Sequence, residues 1–142
     1  MDHAPSIIAH HCMVHVRVLD RAEAFYTRVL GLRVAERHVY TEGVMTYLAM
    51  PGTGFELELI CPRDWPFANR PEPGRTHVAF TIDDLDAEHA RLRGLGVPVD
   101  PIEDHHANGV FQTRYFFFLD PDGNQLEYLE PVGRYRPRPA AP

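Results

Sequence analysis

Cysteine is scarce: Cys12 and Cys61 are the two in 142 residues. Two isolated thiols build no disulfide framework, so a reduced pair is expected. Long apolar runs are missing as well. None approaches the roughly 18 residues that a membrane helix needs, so no span is expected. The chain opens without a basic segment followed by an apolar one, so no signal peptide is read and the expected location is cytoplasmic. Positive charge is in deficit, with 14 Lys and Arg against 20 Asp and Glu, a formal net charge of −6. Nucleic acid calls for a basic footprint, so neither nucleic acid nor membrane is an expected partner.

What is present is ordinary in amount, with 44% hydrophobic and 24% charged residues, as in a globular domain. Its order is informative. From His11 to Leu32 the text reads HCMVHVRVLDRAEAFYTRVLGL. Cys12, Val14, Val16 and Val18 alternate on one strand face, and His11, Met13, His15 and Arg17 take the other. Asp20 and Glu23 fit a capping box. Ala22, Phe25 and Val29 make one apolar helix face, and Gly31 follows as a helix stop. The apolar strand face can pack on this helix, which leaves His11 and His15 pointing away from it. The same plan returns from His77 to Val97, with Val78, Phe80 and Ile82 as the apolar face and His77 standing where His11 stood. Leu85-Asp86 repeats Leu19-Asp20, Leu95-Gly96 repeats Leu30-Gly31, and the offset from His11 to His77 is 66 residues. Such a self-repeat is two copies of one supersecondary unit.

The first copy reads as a strand over 7–18, a helix from about 21 to 30, and strands over 32–39, 44–50 and 55–60, which is βαβββ. Pro62, Pro66, Pro71 and Pro73 mark 61–75 as a linker, pinned to the surface by Trp65 and Phe67. The second copy gives a strand over 77–82, a helix over 85–93 and a strand over 97–103. A loop follows over 104–109 (DHHANG), then strands over 113–119 and 125–129 flanking the turn Asp120-Pro121-Asp122-Gly123. The expected organisation is one domain over 7–131, with module 1 at about 7–60 and module 2 at about 76–131. Residues 132–142 are rich in Pro and Arg and read as a flexible tail.

Each copy begins with a His turned off the apolar face and ends with a Glu in an apolar strand. The second Glu is Glu127. The first is Glu58 or Glu56, which share a strand face; the repeat spacing favours Glu58. An unpaired buried carboxylate costs several kcal/mol, so four such residues at matched positions point to a bound divalent metal. Mixed imidazole and carboxylate donors without thiolate suit Ni, Co, Mn, Fe(II) or Zn. Four protein ligands on an ion that takes six leave two adjacent positions for substrate. His10 lies one residue off the face of His11, His105 and His106 fall in the expected loop, and both cysteines read as packing residues.

The text H-x(8)-D-R-A-x-x-F-Y-x-x-V-L-G-L, from His11 to Leu32, resembles the opening of the vicinal oxygen chelate superfamily. That superfamily includes glyoxalase I, methylmalonyl-CoA epimerase, type I extradiol dioxygenases, and fosfomycin and bleomycin resistance proteins. GRTHVAFTIDDLDA from Gly74 resembles the opening of its second module, and FLDPDGNQLEYLEP from Phe118 its closing hairpin. The resemblance implies an α+β fold, two βαβββ modules forming a curved mixed sheet around a metal site, commonly in a homodimer. It implies metal ligands at His11, Glu58, His77 and Glu127, the set of a bacterial-type glyoxalase I, with Glu127 or Glu58 as proton acceptor. Glutathione-using members carry an Arg four residues after the first His ligand and an Asn four after the first Glu. Here His15 and Pro62 stand there, and neither makes the bidentate grip or the amide hydrogen bond. The extradiol pattern wants a Tyr where Phe117 stands, although Tyr115 shares its strand face. His15, Tyr115 and Phe117 are the expected substrate-pocket residues. The implied activity is a metal-dependent lyase or isomerase acting on a small molecule with vicinal oxygens, not strictly glutathione-dependent. The alternatives are an Fe(II) ring-cleaving dioxygenase, or a protein that binds an aromatic or antibiotic ligand without turnover.

Overall fold

The computed structural model describes residues 9–66 and 76–137 of the chain. It divides into two compact units, Met1–Ala68 and Asn69–Pro142, each α+β with one helix and one four-stranded mixed sheet. The expected start of the first strand at Ile7, the linker residue Phe67 and the end of the tail lie outside the described residues.

In the first unit the order is β1 (His11–His15), α1 (Leu19–Val29), β2 (Arg33–Tyr40), β3 (Gly43–Ala49) and β4 (Glu56–Pro62). The sheet order is β1-β4-β3-β2, with β1 parallel to β4 and the other pairs antiparallel. Alternation sorts the side chains. Leu48, Leu57 and Leu59 are fully buried together with Val16, Ala22 and Tyr26. Burying each leucine contributes about 1.5–3 kcal/mol, and a one-residue slip of β4 would lose it. The opposite face of the same strands therefore carries His11, Glu56, Glu58 and Tyr47.

Two local expectations fail in α1. The capping box does not form: the helix starts at Leu19, with Val18 as an N-cap that makes no side-chain bond. Glu23 is drawn instead to the sheet, where its carboxylate accepts from the Arg37 guanidinium and from the Thr46 hydroxyl at 2.7 Å. Thr46 is fully buried, so its hydroxyl needs that acceptor more than the exposed helix end needs a cap. The helix also buries Tyr26 rather than Phe25, so its core face runs i, i+4, i+7. Gly31 ends the helix at φ 73°, and the Leu32 N–H donates to the Tyr26 carbonyl across it.

The second unit repeats the plan with β5 (His77–Thr81), α2 (Leu85–Gly94), β6 (Glu103–Ala107), β7 (Val110–Leu119) and β8 (Gln125–Leu129). Its sheet order is β5-β8-β7-β6, with β5 parallel to β8. Leu85, Leu92, Phe116, Phe118, Leu126 and Tyr128 are its core. Here the side-chain cap is real, since Asp84 accepts from the Ala87 N–H at 3.0 Å. At the far end the Val97 N–H donates to Leu92 and Gly96 to Arg93, a Schellman stop. Arg114 on β7 ties the helix to the sheet through paired bonds to Asp86 at 2.8 and 2.9 Å and one to Glu130 at 3.1 Å.

The expected strand over 97–103 and loop over 104–109 are displaced. Between Val97 and Ile102 one bridge remains, Val99 to Phe118. The strand is Glu103–Ala107, so His105 and His106 lie on β6 rather than in a loop. Asn108 and Gly109, at φ 53° and 77°, close the hairpin to β7. Two successive left-handed residues are what a type I′ turn needs, and Asn-Gly supplies them cheaply. The tail begins with a short 3-10 turn, Gly133–Tyr135. No described helix is long and apolar enough to cross a membrane.

The Glu23 tie yields a stability prediction. Glu23→Ala leaves the Thr46 hydroxyl buried without its acceptor and should cost about 1–3 kcal/mol in urea unfolding. Adding Thr46→Val should return part of that loss. A double variant no more stable than Glu23→Ala would show that the buried hydroxyl is not the source.

Candidate functional site

The face of the first sheet turned away from α1 holds the first His–Glu pair. β1 and β4 run parallel with His11 opposite Glu56 and Met13 opposite Glu58. The His11 imidazole nevertheless reaches Glu58, with Nε2 3.3 Å from Oε2. Glu58 is 6% exposed. Across the sheet Tyr47 stands directly opposite Glu58. The Glu58 carboxylate beside it pushes the pKa of the Tyr47 phenol up. The Tyr47 ring meets His11 edge-on at 5.7 Å and His38 at 5.6 Å. Tyr47 is a residue the sequence reading did not single out. The signal was its place across a hairpin from Glu58, which needed the strand register to be seen.

The second unit repeats the geometry. His77 stands opposite Gln125 and Ala79 opposite Glu127. The His77 Nε2 lies 2.9 Å from the Glu127 Oε2. In register terms Gln125 matches Glu56 and Glu127 matches Glu58, so Glu58 and not Glu56 is the structural counterpart of Glu127. Phe117 occupies the place of Tyr47, directly opposite Glu127. Its ring packs edge-on to His77 at 5.3 Å and to Tyr115 at 5.5 Å. Burial raises the pKa of Glu127 above the ordinary carboxylate range, although the neighbouring His77 pulls the other way.

Beside this pair lies a cavity of about 430 Å³. Its walls include His77, Glu127, Phe117 and Tyr115, joined by His105 and Tyr135. Tyr115 donates its hydroxyl to Glu103 at 3.1 Å, and burial with that carboxylate raises its pKa. His105, on β6, is thus a wall of the cavity, while the His106 ring packs on Phe111 at 5.8 Å. Tyr135 was hidden in a segment whose Pro and Arg content reads as tail. Among the described residues no Arg lines the cavity.

The remaining candidates fall elsewhere. His15, on the same face of β1 as His11, meets Trp65 edge-on at 6.5 Å, and burial lowers its pKa. The Arg17 guanidinium sits 4.5 Å over the Trp65 ring. His10 is exposed and its Nδ1 lies 2.8 Å from the Nδ1 of His11. The Cys61 thiol bonds the Arg17 carbonyl at 3.5 Å, and burial raises the pKa of Cys12, so neither is presented as a nucleophile. Among the described residues no three or more His, Cys, Asp or Glu gather as a metal-holding group; the repeat-matched pairs are His11–Glu58 and His77–Glu127, and His38–Glu36 at 3.0 Å is a further pair on the exposed strand β2.

Known proteins share this plan. YaeR of Escherichia coli (strain K12), an uncharacterized protein, is 33% identical over 129 residues, covering 85% of this chain and 94% of YaeR. A lactoylglutathione lyase of Neisseria meningitidis serogroup B (strain MC58) is 30% identical over 125 residues, 84% of this chain and 88% of the lyase. Among solved structures, TnmS3, an antibiotic binding protein from Streptomyces sp. CB03234, superposes with a TM-score of 0.70 at 27% identity. It covers 92% of this chain and all of its own. The glyoxalase/bleomycin resistance protein/dioxygenase family model matches residues 8–128, which include both His–Glu pairs, and the chain belongs to that superfamily.

Proposed function

We propose that the protein is a metal-dependent lyase or isomerase of the glyoxalase I type, acting on a small substrate with vicinal oxygens. The observation that carries this reading is the matched pair: His11 with Glu58 and His77 with Glu127, at equivalent register in two units. We propose these four as ligands of one divalent ion, of Ni, Co, Mn, Fe(II) or Zn type. The donor set fits. Neighbouring ligands of an octahedral ion with bonds near 2.1 Å lie about 3 Å apart, and the N–O separations are 3.3 and 2.9 Å. Mixed N and O donors without thiolate suit such ions. Similarity to lactoylglutathione lyases supports the same class.

A bound ion of this kind supplies Lewis acidity, which makes the C–H beside a coordinated carbonyl easier to deprotonate. The chain's own part is proton movement and shielding. Glu127 is the better proton acceptor, because it borders the cavity and its burial favours the protonated form. It would take the proton from one carbon at a carboxylate oxygen and return it to the neighbour, an isomerisation with no net oxidation. Phe117, Tyr115 and Tyr135 wall the cavity and keep water from that proton. His15 and Pro62 replace the residues that grip glutathione in the members that use it, and among the described residues the cavity lining has no Arg for a carboxylate tail. The preferred substrate is therefore not a glutathione conjugate. Similarity to an antibiotic binding protein and the aromatic cavity favour a second reading, binding without turnover; ligand affinity that survives a chelator would mark it.

We also propose a homodimer, the arrangement often found in this superfamily. Edge strand β2 and the β6–β7 hairpin leave Val39 79%, Val110 62% and Phe111 47% exposed, which suits covered edges better than bare ones.

Untagged protein should carry about one divalent ion per chain by elemental analysis, and His11→Ala and His77→Ala should each lose most of it. Full occupancy in both variants would sink the assignment. Light scattering should give twice the 16.2 kDa chain mass; the single-chain mass at all concentrations would refute the dimer. Turnover of the methylglyoxal–glutathione hemithioacetal should be slow or absent. With a true substrate, Glu127→Gln should keep its metal and lose about a hundredfold in rate, the scale of general-base loss. A rate kept in Glu127→Gln but lost in Glu58→Gln would exchange the two roles.

A further inference from the structure

His11 is met at both of its ring nitrogens. Its Nε2 lies 3.3 Å from the Glu58 carboxylate, and its Nδ1 lies 2.8 Å from the Nδ1 of His10. Strand alternation sets His10 off the face of His11, yet the two rings meet edge-on, with centroids 5.0 Å apart. The His10 main chain is fixed just before β1, because its carbonyl accepts from the Glu56 N–H at 3.0 Å. The His11 ring is braced on another side by Tyr47, edge-on at 5.7 Å. In the second unit Thr76 holds the place before His77, so the His-His step belongs to the first unit.

We propose that His10 is a positioning residue that sets the tautomer of His11, and that it does so by exchanging the roles of hydrogen-bond donor and acceptor. The proposal rests on the reading of His11 as a metal ligand through Nε2. A neutral imidazole has one nitrogen that donates and one that accepts. A carboxylate accepts, so while Glu58 is the partner of Nε2 the proton of His11 sits there. The bare Nδ1 of His11 then accepts from the Nδ1–H of His10. Once Nε2 gives its lone pair to an ion, the proton of His11 belongs on Nδ1, and the Nδ1 of His10 becomes the acceptor. The exchange balances. One proton leaves Nε2 of His11 to water as Nδ1 takes one from His10, and His10, which is exposed, takes one from water at its own Nε2. Both rings start and end neutral. An Asp at this place only accepts and a Lys only donates, so each serves one state and not the other.

Nitrogen NMR of the histidine rings reads the tautomers directly, in full-length protein held in alkaline buffer with both rings neutral. Zinc(II), which is diamagnetic, serves as the probe. In the metal-free wild type His11 should be protonated at Nε2 and His10 at Nδ1, and zinc should reverse both. His10→Ala should weaken zinc binding about tenfold, the scale seen when a partner behind a ligand is lost. His10→Asn should restore the affinity, because a carboxamide donates or accepts at the same reach from the main chain. An Ala variant with wild-type affinity, or an Asn variant no better than Ala, overturns the proposal. Zinc bound tightly with the tautomers of both rings unchanged strikes the exchange and leaves the ligand reading standing. A wild type that takes up no zinc defeats the ligand reading and the exchange with it.

Discussion

A carboxylate drawn out of water into a sheet has to be met by donors, and much of this molecule is arranged around that need. An unpaired buried charge costs several kcal/mol, a large share of a small domain's stability. Glu58 is buried between leucines on β4. Its position follows from packing that has nothing to do with its charge. Leu57 and Leu59 are held against α1, and alternation then turns Glu58 to the opposite face, where His11 meets it and Tyr47 stands across the strand pair. The helix-facing core thus sets the register that brings carboxylate and imidazole together.

The two units build this arrangement with different trim. Helix α1 is tied to its sheet by Glu23, which satisfies Arg37 and the buried Thr46. Helix α2 is tied by Arg114, whose guanidinium holds Asp86 below the ordinary carboxylate range. The polar faces diverge as well. Tyr47 and His38 surround the first pair, whereas Phe117, Tyr115 and the cavity surround the second. A duplicated plan whose copies differ in this way gives two chemically distinct carboxylates at structurally equivalent places.

The fold alone does not choose a reaction, since relatives of this chain include both a lactoylglutathione lyase and an antibiotic binding protein. The choice lies in the trim. Among the described residues the cavity wall is largely aromatic and holds His77, His105 and Glu127 but no Arg.

The repeat, the βαβββ order and the alternating strands were legible in the sequence because each depends on neighbours a few residues apart. Gly31 and Gly96 belong to the same class. The hairpin at Asn108-Gly109 was also legible, but the polar run around it read as loop; pairing with β7 makes Glu103–Ala107 a strand despite that composition. Other features depend on partners distant in the chain. The phase of α1, which buries Tyr26 rather than Phe25, is set by the sheet beneath it. Glu23 leaves the helix end because Thr46 and Arg37 compete for it from other strands. Glu56 and Glu58 share one strand face, so no local pattern separates them. Only the pairing of β1 with β4, joined across more than 40 residues, turns His11 toward Glu58. Tyr47 acquires its neighbours for the same reason: periodicity reports which way a side chain points, and strand register decides what it meets.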